Sequence, residues 1–369
     1  MLHIIGIGIS EFDSLPIGSV EVLKNSDFVF LERFTGFISD DFMMKIHNIL
    51  NDSKESQLNS GIDIKFVKRW YIEDGREILE KASSNNVSIL AYGDPLVATT
   101  YNELMVRAKK LSIDVKVIHS SSGLISLIGE TGLQPYKFGK MVTLMNDPMS
   151  SITVYNTIYD NLSLGLHTLI LTEYNNDDGI DNFTSSSNPF YLSPKKVFDL
   201  LLEREAEIKL ANLSTKTFAI VASKIGSDNS QILSGNIDTL SRLEYEGGPN
   251  SVIIPGSLHF IEEDSVRNLT KLLDPPNGNS SRISKMANRM LDKYIPNAKI
   301  ALANLINLLS STGEGLPKEY ESVIENAENY LNDAQTFYNQ GKLELAILSI
   351  GYAEGLIDSL RFQKNMNPW

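Results

Sequence analysis

Val87-Ser88-Ile89-Leu90-Ala91-Tyr92-Gly93-Asp94-Pro95-Leu96-Val97-Ala98-Thr99-Thr100 is the stretch on which the fold class turns. Its first six residues form an apolar, β-prone run that a Gly-Asp-Pro breaker ends, which reads as a strand. A helix is expected next, with Thr99 or Thr100 placed to cap it. Upstream, residues 2–9 and 28–31 repeat the strand signature, and helical stretches separate them. Such alternation predicts α/β structure around a mostly parallel sheet. Downstream, strand candidates at 115–119, 168–171, 218–222 and 251–254 open a second α/β region. A helix is predicted over 193–208, with Ser193 as N-cap and Pro194 in the first helical position. Residues 175–188, rich in Asn, Asp, Ser and Gly, read as an exposed loop.

The run Asp274-Pro275-Pro276-Asn277-Gly278-Asn279-Ser280-Ser281 combines breakers with small polar residues and reads as a linker. Beyond it the pattern is helical. Tyr320, Val323, Ile324, Ala327, Tyr330, Leu331, Ala334 and Phe337 fall at spacings of three and four. Gly341 then predicts a C-terminal cap before a second helix carrying Ile347, Ile350, Ala353, Ile357 and Leu360. An earlier helical stretch over 283–309 is expected to be interrupted by Pro296. The expected organisation is therefore an α/β lobe over 1–112, a second over 113–273, a linker over 274–281 and a helical domain over 282–369.

Composition narrows the function. With 369 residues the chain exceeds one ordinary domain, and 42% hydrophobic with 21% charged residues describes a soluble globular protein. No apolar run approaches the roughly 18 residues of a spanning helix. The first residues lack the basic flank and cleavage site of a signal peptide, so a cytoplasmic location is expected. A net charge of -13 disfavours nucleic acid as a partner. The absence of cysteine removes disulfides and thiolate chemistry, and five scattered histidines give no metal-ligand spacing.

Three loops carry candidate chemistry. Gly6-Ile7-Gly8 follows a strand and precedes a helix from about Pro16, with Glu32 ending the next strand, as in a dinucleotide site. Glu11 stands where the third glycine would be, and a simple turn out of a buried strand explains the pair equally well. Asp94 is either an acceptor for ligand donors or an Asx-turn residue. At His119-Ser120-Ser121-Ser122-Gly123, a helix start could welcome a carboxylate, or Ser121 or Ser122 could only cap it.

Nine stretches in order, I-I-G-I-G-I (4–9), V-L-K-N-S-D-F-V-F-L-E (22–32), G-D-P-L-V-A-T-T (93–100), R-A-K-K-L (107–111), V-I-H-S-S-S (117–122), G-L-Q-P-Y-K-F-G (132–139), G-L-H-T-L-I-L (165–171), K-I-G-S-D-N (224–229) and V-I-I-P-G-S-L-H (252–259), together resemble the diphthine synthase group of the tetrapyrrole methylase family. The resemblance spans about the first 260 residues. It implies a two-lobed α/β methyltransferase, usually a homodimer, with S-adenosylmethionine in the cleft between lobes. The implied substrate is translation elongation factor 2 carrying a 3-amino-3-carboxypropyl group on one histidine, whose amine is methylated to give diphthine. Carried over by motif, the cofactor contacts fall on Ile9, on Asp94 and Val97, on Ser122 and Gly123, and on Thr172, Ile225 and Asn250. No catalytic side chain and no metal are implied. A precorrin methylase of the same fold is the alternative, and a third reading makes the helical tail a docking device. Residues 282–369 resemble a small archaeal helical domain without assigned function, through A-E-N-Y-L-N-D-A-Q-T-F-Y-N-Q-G and I-G-Y-A-E-G-L-I-D.

Overall fold

The computed structural model describes residues 1–36, 38–51, 64–175, 190–210, 212–276, 281–310 and 318–369. It divides into two units, Met1–Asn279 and Ser280–Trp369. Four of the eight positions of the linker stretch, 277–280, lie outside the described residues, as does nearly all of the loop expected over 175–188.

Strands β1 (Leu2–Gly6), β2 (Phe28–Glu32), β3 (Ile64–Val67), β4 (Val87–Ala91) and β5 (Val115–Ile118) form an all-parallel sheet in the order β3-β2-β4-β1-β5. Parallel strands are covered on both faces, which is why β1 and β4 are buried throughout and, apart from His3 and Ser88, apolar. Helices α1 (Ile17–Lys24), α2 (Asp40–Asn51), α3 (Arg69–Asp74), α4 (Arg76–Ala82) and α5 (Tyr101–Lys110) connect them. Read from sequence as the opening of the second region, residues 115–119 instead complete this first sheet. Leu2 pairs with Val115 and Ile5 with Ile118, so the division expected at 112/113 cuts off an edge strand.

The second sheet is mixed, in the order β13-β11-β10-β12-β7-β6. It contains β6 (Val142–Leu144), β7 (Thr168–Thr172), β10 (Phe218–Ser223), β11 (Gln231–Asn236), β12 (Asn250–Ile254) and β13 (Lys271–Leu272). A separate antiparallel pair joins β8 (Tyr174–Asn175) to β9 (Phe190–Tyr191). Around them lie α6 (Gly123–Glu130), α7 (Pro148–Ser163), α8 (Pro194–Ile208), α9 (Ile237–Leu240) and α10 (Phe260–Leu269). Helix α8 begins as its sequence predicts, with the Ser193 side chain accepting a hydrogen bond from the Lys196 amide.

The second unit is built from α11 (Ser281–Ser310), α12 (Lys318–Asn339) and α13 (Leu343–Lys364). Tyr320, Ile324, Ala327, Leu331 and Ala334 meet Ile350, Ala353, Ile357 and Leu360 in one core, and Gly341 turns the chain with φ +72°. The expected break at Pro296 does not occur. Helix α11 runs through it, because Leu291, Ile295, Ala298, Leu302 and Leu305 are buried along one face on both sides of the proline. That burial offsets the roughly 3 kcal/mol an interior proline costs.

Candidate functional site

At the carboxyl ends of the parallel strands, ligands to α/β sheets find a crevice framed by loops. Here the loops after β1 and β4 are joined, since the Gly8 amide donates to the Gly93 carbonyl at 3.1 Å and the Gly93 amide to the Gly8 carbonyl at 3.0 Å. Both glycines have positive φ, +71° and +72°. An added Cβ at Gly8 would fall 2.1 Å from Ser14 Cβ, whereas at Gly93 it would meet nothing nearer than 3.8 Å. Gly8 is therefore required by packing, and Gly93 leaves its backbone open to the cleft it lines.

That cleft encloses about 870 Å³ between the two sheets of the first unit. Ile9, Asp94, Val97, Ser122, Gly123, Thr172, Ile225 and Asn250, drawn from six separate segments, all line it. Ile9 leaves the first sheet and packs into the core of the second, beside Leu127 and Ile225. Gly226, at φ +89°, admits it, since a Cβ there would stand 2.7 Å from the Ile9 side chain.

The polar members are held by the protein. Asp94 Oδ1 accepts from the Leu96 amide at 2.9 Å, an Asx turn. Its Oδ2 accepts from the Ser120 amide at 3.3 Å and lies 2.8 Å from His119 Nδ1. The turn reading of Asp94 is thus realised, and the cleft position is realised with it. Thr172 Oγ1 donates to the Asn250 carbonyl at 2.8 Å. Asn250 accepts from Ser223 Oγ at 2.7 Å and donates to the Gly247 carbonyl at 2.8 Å.

Ser122 occupies the N-cap of α6 without making a side-chain cap. Neither expected serine cap is made, because Ser121 Oγ instead accepts from the Ile9 amide at 3.3 Å. Thr100 likewise sits at the N-cap of α5 without a cap bond, and Thr99 Oγ1 donates back to the Pro95 carbonyl.

Glu32 departs from the dinucleotide reading. It is buried, accepting from the Tyr92 amide at 2.8 Å and from the Tyr101 hydroxyl at 2.5 Å, and does not line the cleft. Burial raises its pKa, and the hydrogen bonds from Tyr101, Thr35 and Tyr92 only oppose that rise. It supports the loops on either side of it, fixing Tyr92 just before Gly93.

Sequence reasoning missed the residues that line the cleft after β2 and β3, among them Arg33, Phe34, Lys68, Arg69, Trp70 and Glu73. The signal was weak: β3 has four residues, and Lys65 interrupts it. Among the described residues no group of three or more His, Asp or Glu is placed to hold a metal ion. No helix among them is long and apolar enough to cross a membrane.

A family model described as Tetrapyrrole (Corrin/Porphyrin) Methylases matches residues 1–241. The chain belongs to that family. Within it, the methylase portion is 30% identical over 271 residues to the diphthine synthase of Methanocaldococcus jannaschii, covering 73% of this chain and 98% of that one. It is also 30% identical over 272 residues to the diphthine methyl ester synthase of Dictyostelium discoideum, covering 72% of this chain and 96% of that one. A crystal structure from Entamoeba histolytica superposes with a TM-score of 0.62 at 26% identity, covering 74% and 99% of the two chains. A second model, Protein of unknown function (DUF357), matches residues 293–366.

Methylases of this family and the diphthine synthases take their methyl group from S-adenosylmethionine. The cleft fits such a molecule. Ile9, Val97, Leu127, Leu171 and Ile225 offer apolar walls, Gly93 leaves room against backbone, and Asp94 adds a carboxylate for hydroxyl or amine donors.

Three of the other motif segments meet largely outside this cleft. Glu262 is fully buried on α10. It accepts from the Lys137 ammonium, from the Gln134 amide at 3.0 Å and the His259 amide at 2.9 Å, and pairs with His167 Nε2 at 3.0 Å. His167 Nδ1 accepts from the Gly256 amide at 2.9 Å, so Nε2 carries the proton toward Glu262. The segments 132–139, 165–171 and 252–259 thereby converge on one polar hub that ties three loops together.

Proposed function

We propose that this methylase is the diphthine synthase of its cell, methylating the amino group of the 3-amino-3-carboxypropyl-modified histidine of translation elongation factor 2. The observation that carries the reading is the convergence of all eight motif-assigned residues on one cleft in a chain with diphthine synthase relatives over nearly their full length. When bound, S-adenosylmethionine supplies a methyl carbon on a cationic sulfur, which passes in line to the amine nitrogen as the C–S bond breaks and the C–N bond forms.

Positioning and exclusion of water carry most of such a rate. The joined Gly8 and Gly93 loops, the Asp94 turn and the α6 start present fixed backbone to the donor side. Ile9, Val97 and Ile225 exclude water around it. The acceptor amine must arrive unprotonated, and the proton it sheds after transfer passes to solvent. We assign no side chain as a general base.

The lobes, with the boundary placed after β5, work as a homodimer in the cytoplasm, without a metal. In the test, purified full-length protein and methyl-labelled cofactor are offered elongation factor 2 bearing the unmethylated adduct, and a precorrin in parallel. Label appearing on the factor histidine and surviving mild base, which would release an ester, is the expected result. Transfer to the precorrin alone would overturn the proposal.

A further inference from the structure

Charge is unevenly spread along the cleft. Arg33, Lys68 and Arg69 line it at the carboxyl ends of β2 and β3, while Asp94 and Glu173 line it from the ends of β4 and β7. Glu73, on α3 with Arg69, is the acidic lining residue of the cationic end. In the order β3-β2-β4-β1-β5, β3 lies three strand spacings from β1, or about 14 Å. The cationic end is thus set apart from the β1 loop that carries Ile9, while β2, which Arg33 follows, lies beside β4, whose loop carries Gly93 and Asp94.

Arg69 is exposed and sits 5.3 Å from the ring centre of Phe34, which also lines the cleft. It makes no ion pair among the described residues, though buried Glu32 feels its charge at longer range. It also opens helix α3, the end at which a helix dipole disfavours a cation. Neither an ion pair nor helix stability accounts for a guanidinium at this position, in a chain whose net charge is -13.

We propose that Arg69 binds the carboxylate of the acceptor's aminocarboxypropyl group. The proposal rests on the functional reading above. The acceptor's amine sits on the same carbon as this carboxylate, so a carboxylate held on the guanidinium fork fixes the amine beside it, turned toward the β4 loop. A planar fork suits a carboxylate, which it can hold through two parallel hydrogen bonds. Arg33 and Lys68 add positive charge to the same end, and Phe34 and Trp70 line it as well. Fixing the carboxylate there selects the amine as the methyl acceptor.

The cofactor's own carboxylate is the other source of the same chemistry, and the experiment separates the two. Full-length wild type, Arg69→Gln and Arg69→Lys are compared by calorimetry with S-adenosylmethionine. The same proteins are titrated, cofactor present, with 2-amino-4-(imidazol-2-yl)butanoate and its carboxamide, and assayed with modified elongation factor 2. The wild type is expected to prefer the acid over the carboxamide at least tenfold. Arg69→Gln loses that preference and raises KM for the factor at least tenfold, Arg69→Lys keeps part of both, and cofactor affinity changes less than twofold in either variant. A weakened cofactor affinity with an unchanged acid preference would put the guanidinium on the cofactor and overturn the inference. Equal behaviour of Arg69→Gln and wild type would also overturn it. The binding arm needs no turnover, so a wild type that discriminates acid from amide yet methylates no factor would count against the functional reading and leave Arg69's contact standing.

Discussion

Asp94 commits three of the roughly four acceptor positions of its carboxylate inside the protein, to the Leu96 and Ser120 amides and to His119. Asp94→Asn keeps an oxygen for the Leu96 amide but turns Oδ2 into a donor, setting an NH₂ group against the Ser120 amide and the His119 ring. A charge-assisted bond from the remaining acceptor position to the cofactor is worth roughly 1.5 to 3 kcal/mol, so losing it is expected to lower cofactor affinity about tenfold or more. Calorimetry with the variant, alongside a circular dichroism check of its fold, measures this. A dissociation constant equal to that of the wild type would leave Asp94 a turn residue alone. At this scale the cleft lining after β1 and β4 and at the start of α6 was legible in the sequence, because short loop motifs after strong strands carry it. The lining after β2 and β3 was not. Arg33 and Arg69 follow β2 and β3 with no glycine or proline between strand and arginine to mark them, and only the strand order brings them to the cleft that Asp94 lines.

Between elements, the Glu262 hub determines how α10 and the loops around Lys137, His167 and Gly256 meet. Desolvation opposes ionisation of Glu262, but hydrogen bonds from the His259 amide, Lys137, the Gln134 amide and His167 outweigh it and bring the pKa to about 2. A carboxylate with a depressed folded pKa contributes stability above its unfolded value near 4.5, lost as pH falls toward 2. For His167, burial lowers the pKa below 6.5, the larger effect than its pairing with Glu262, so protonation below that pH also favours the unfolded chain. Both signs agree. Thermal stability is expected to decline from about pH 6.5 downward and more steeply below about 4.5, with Glu262 alone accounting for roughly 3 kcal/mol. Melting curves across pH 3 to 7 would test it, and a flat profile would refute it. Lys137→Met leaves the buried carboxylate without its cation and should cost roughly 3 to 5 kcal/mol, read as a lower denaturant midpoint. The sequence showed these segments as family signatures yet could not show that they meet. They are joined by a carboxylate that none of the motifs contains and that stands as far as 128 residues from its partners.

Across the whole molecule, each unit closes its own core. Leu291, Leu305, Leu331, Ala353 and Ile357 pack together within the second unit. The first-unit clusters, around Ile4 and Ile89, Val29 and Phe42, and Ile220 and Ile253, are drawn from residues before 280. The cleft too is lined by first-unit residues only. Where a chain may be cut follows from hydrogen bonding rather than composition. Asp274 Oδ2 accepts from the Asn236 amide at 2.9 Å, and the Leu273 amide donates to the Ser234 carbonyl at 2.8 Å, so β13 and the two residues after it finish the edge of the second sheet. A chain ending at Pro276 keeps both bonds. Such a chain is expected to fold, to bind S-adenosylmethionine with the wild-type dissociation constant, and to methylate modified elongation factor 2, any loss showing as a higher KM for the factor with kcat preserved. A chain ending at Thr270 removes β13 and should instead lose stability, since the edge strand β11 is left unpaired on one side. Calorimetry and steady-state kinetics on the two truncations decide the matter. Cofactor binding abolished in the Pro276 chain would mean that the helical unit completes the methylase, whereas equal stability of the two chains would mean that β13 contributes nothing to it.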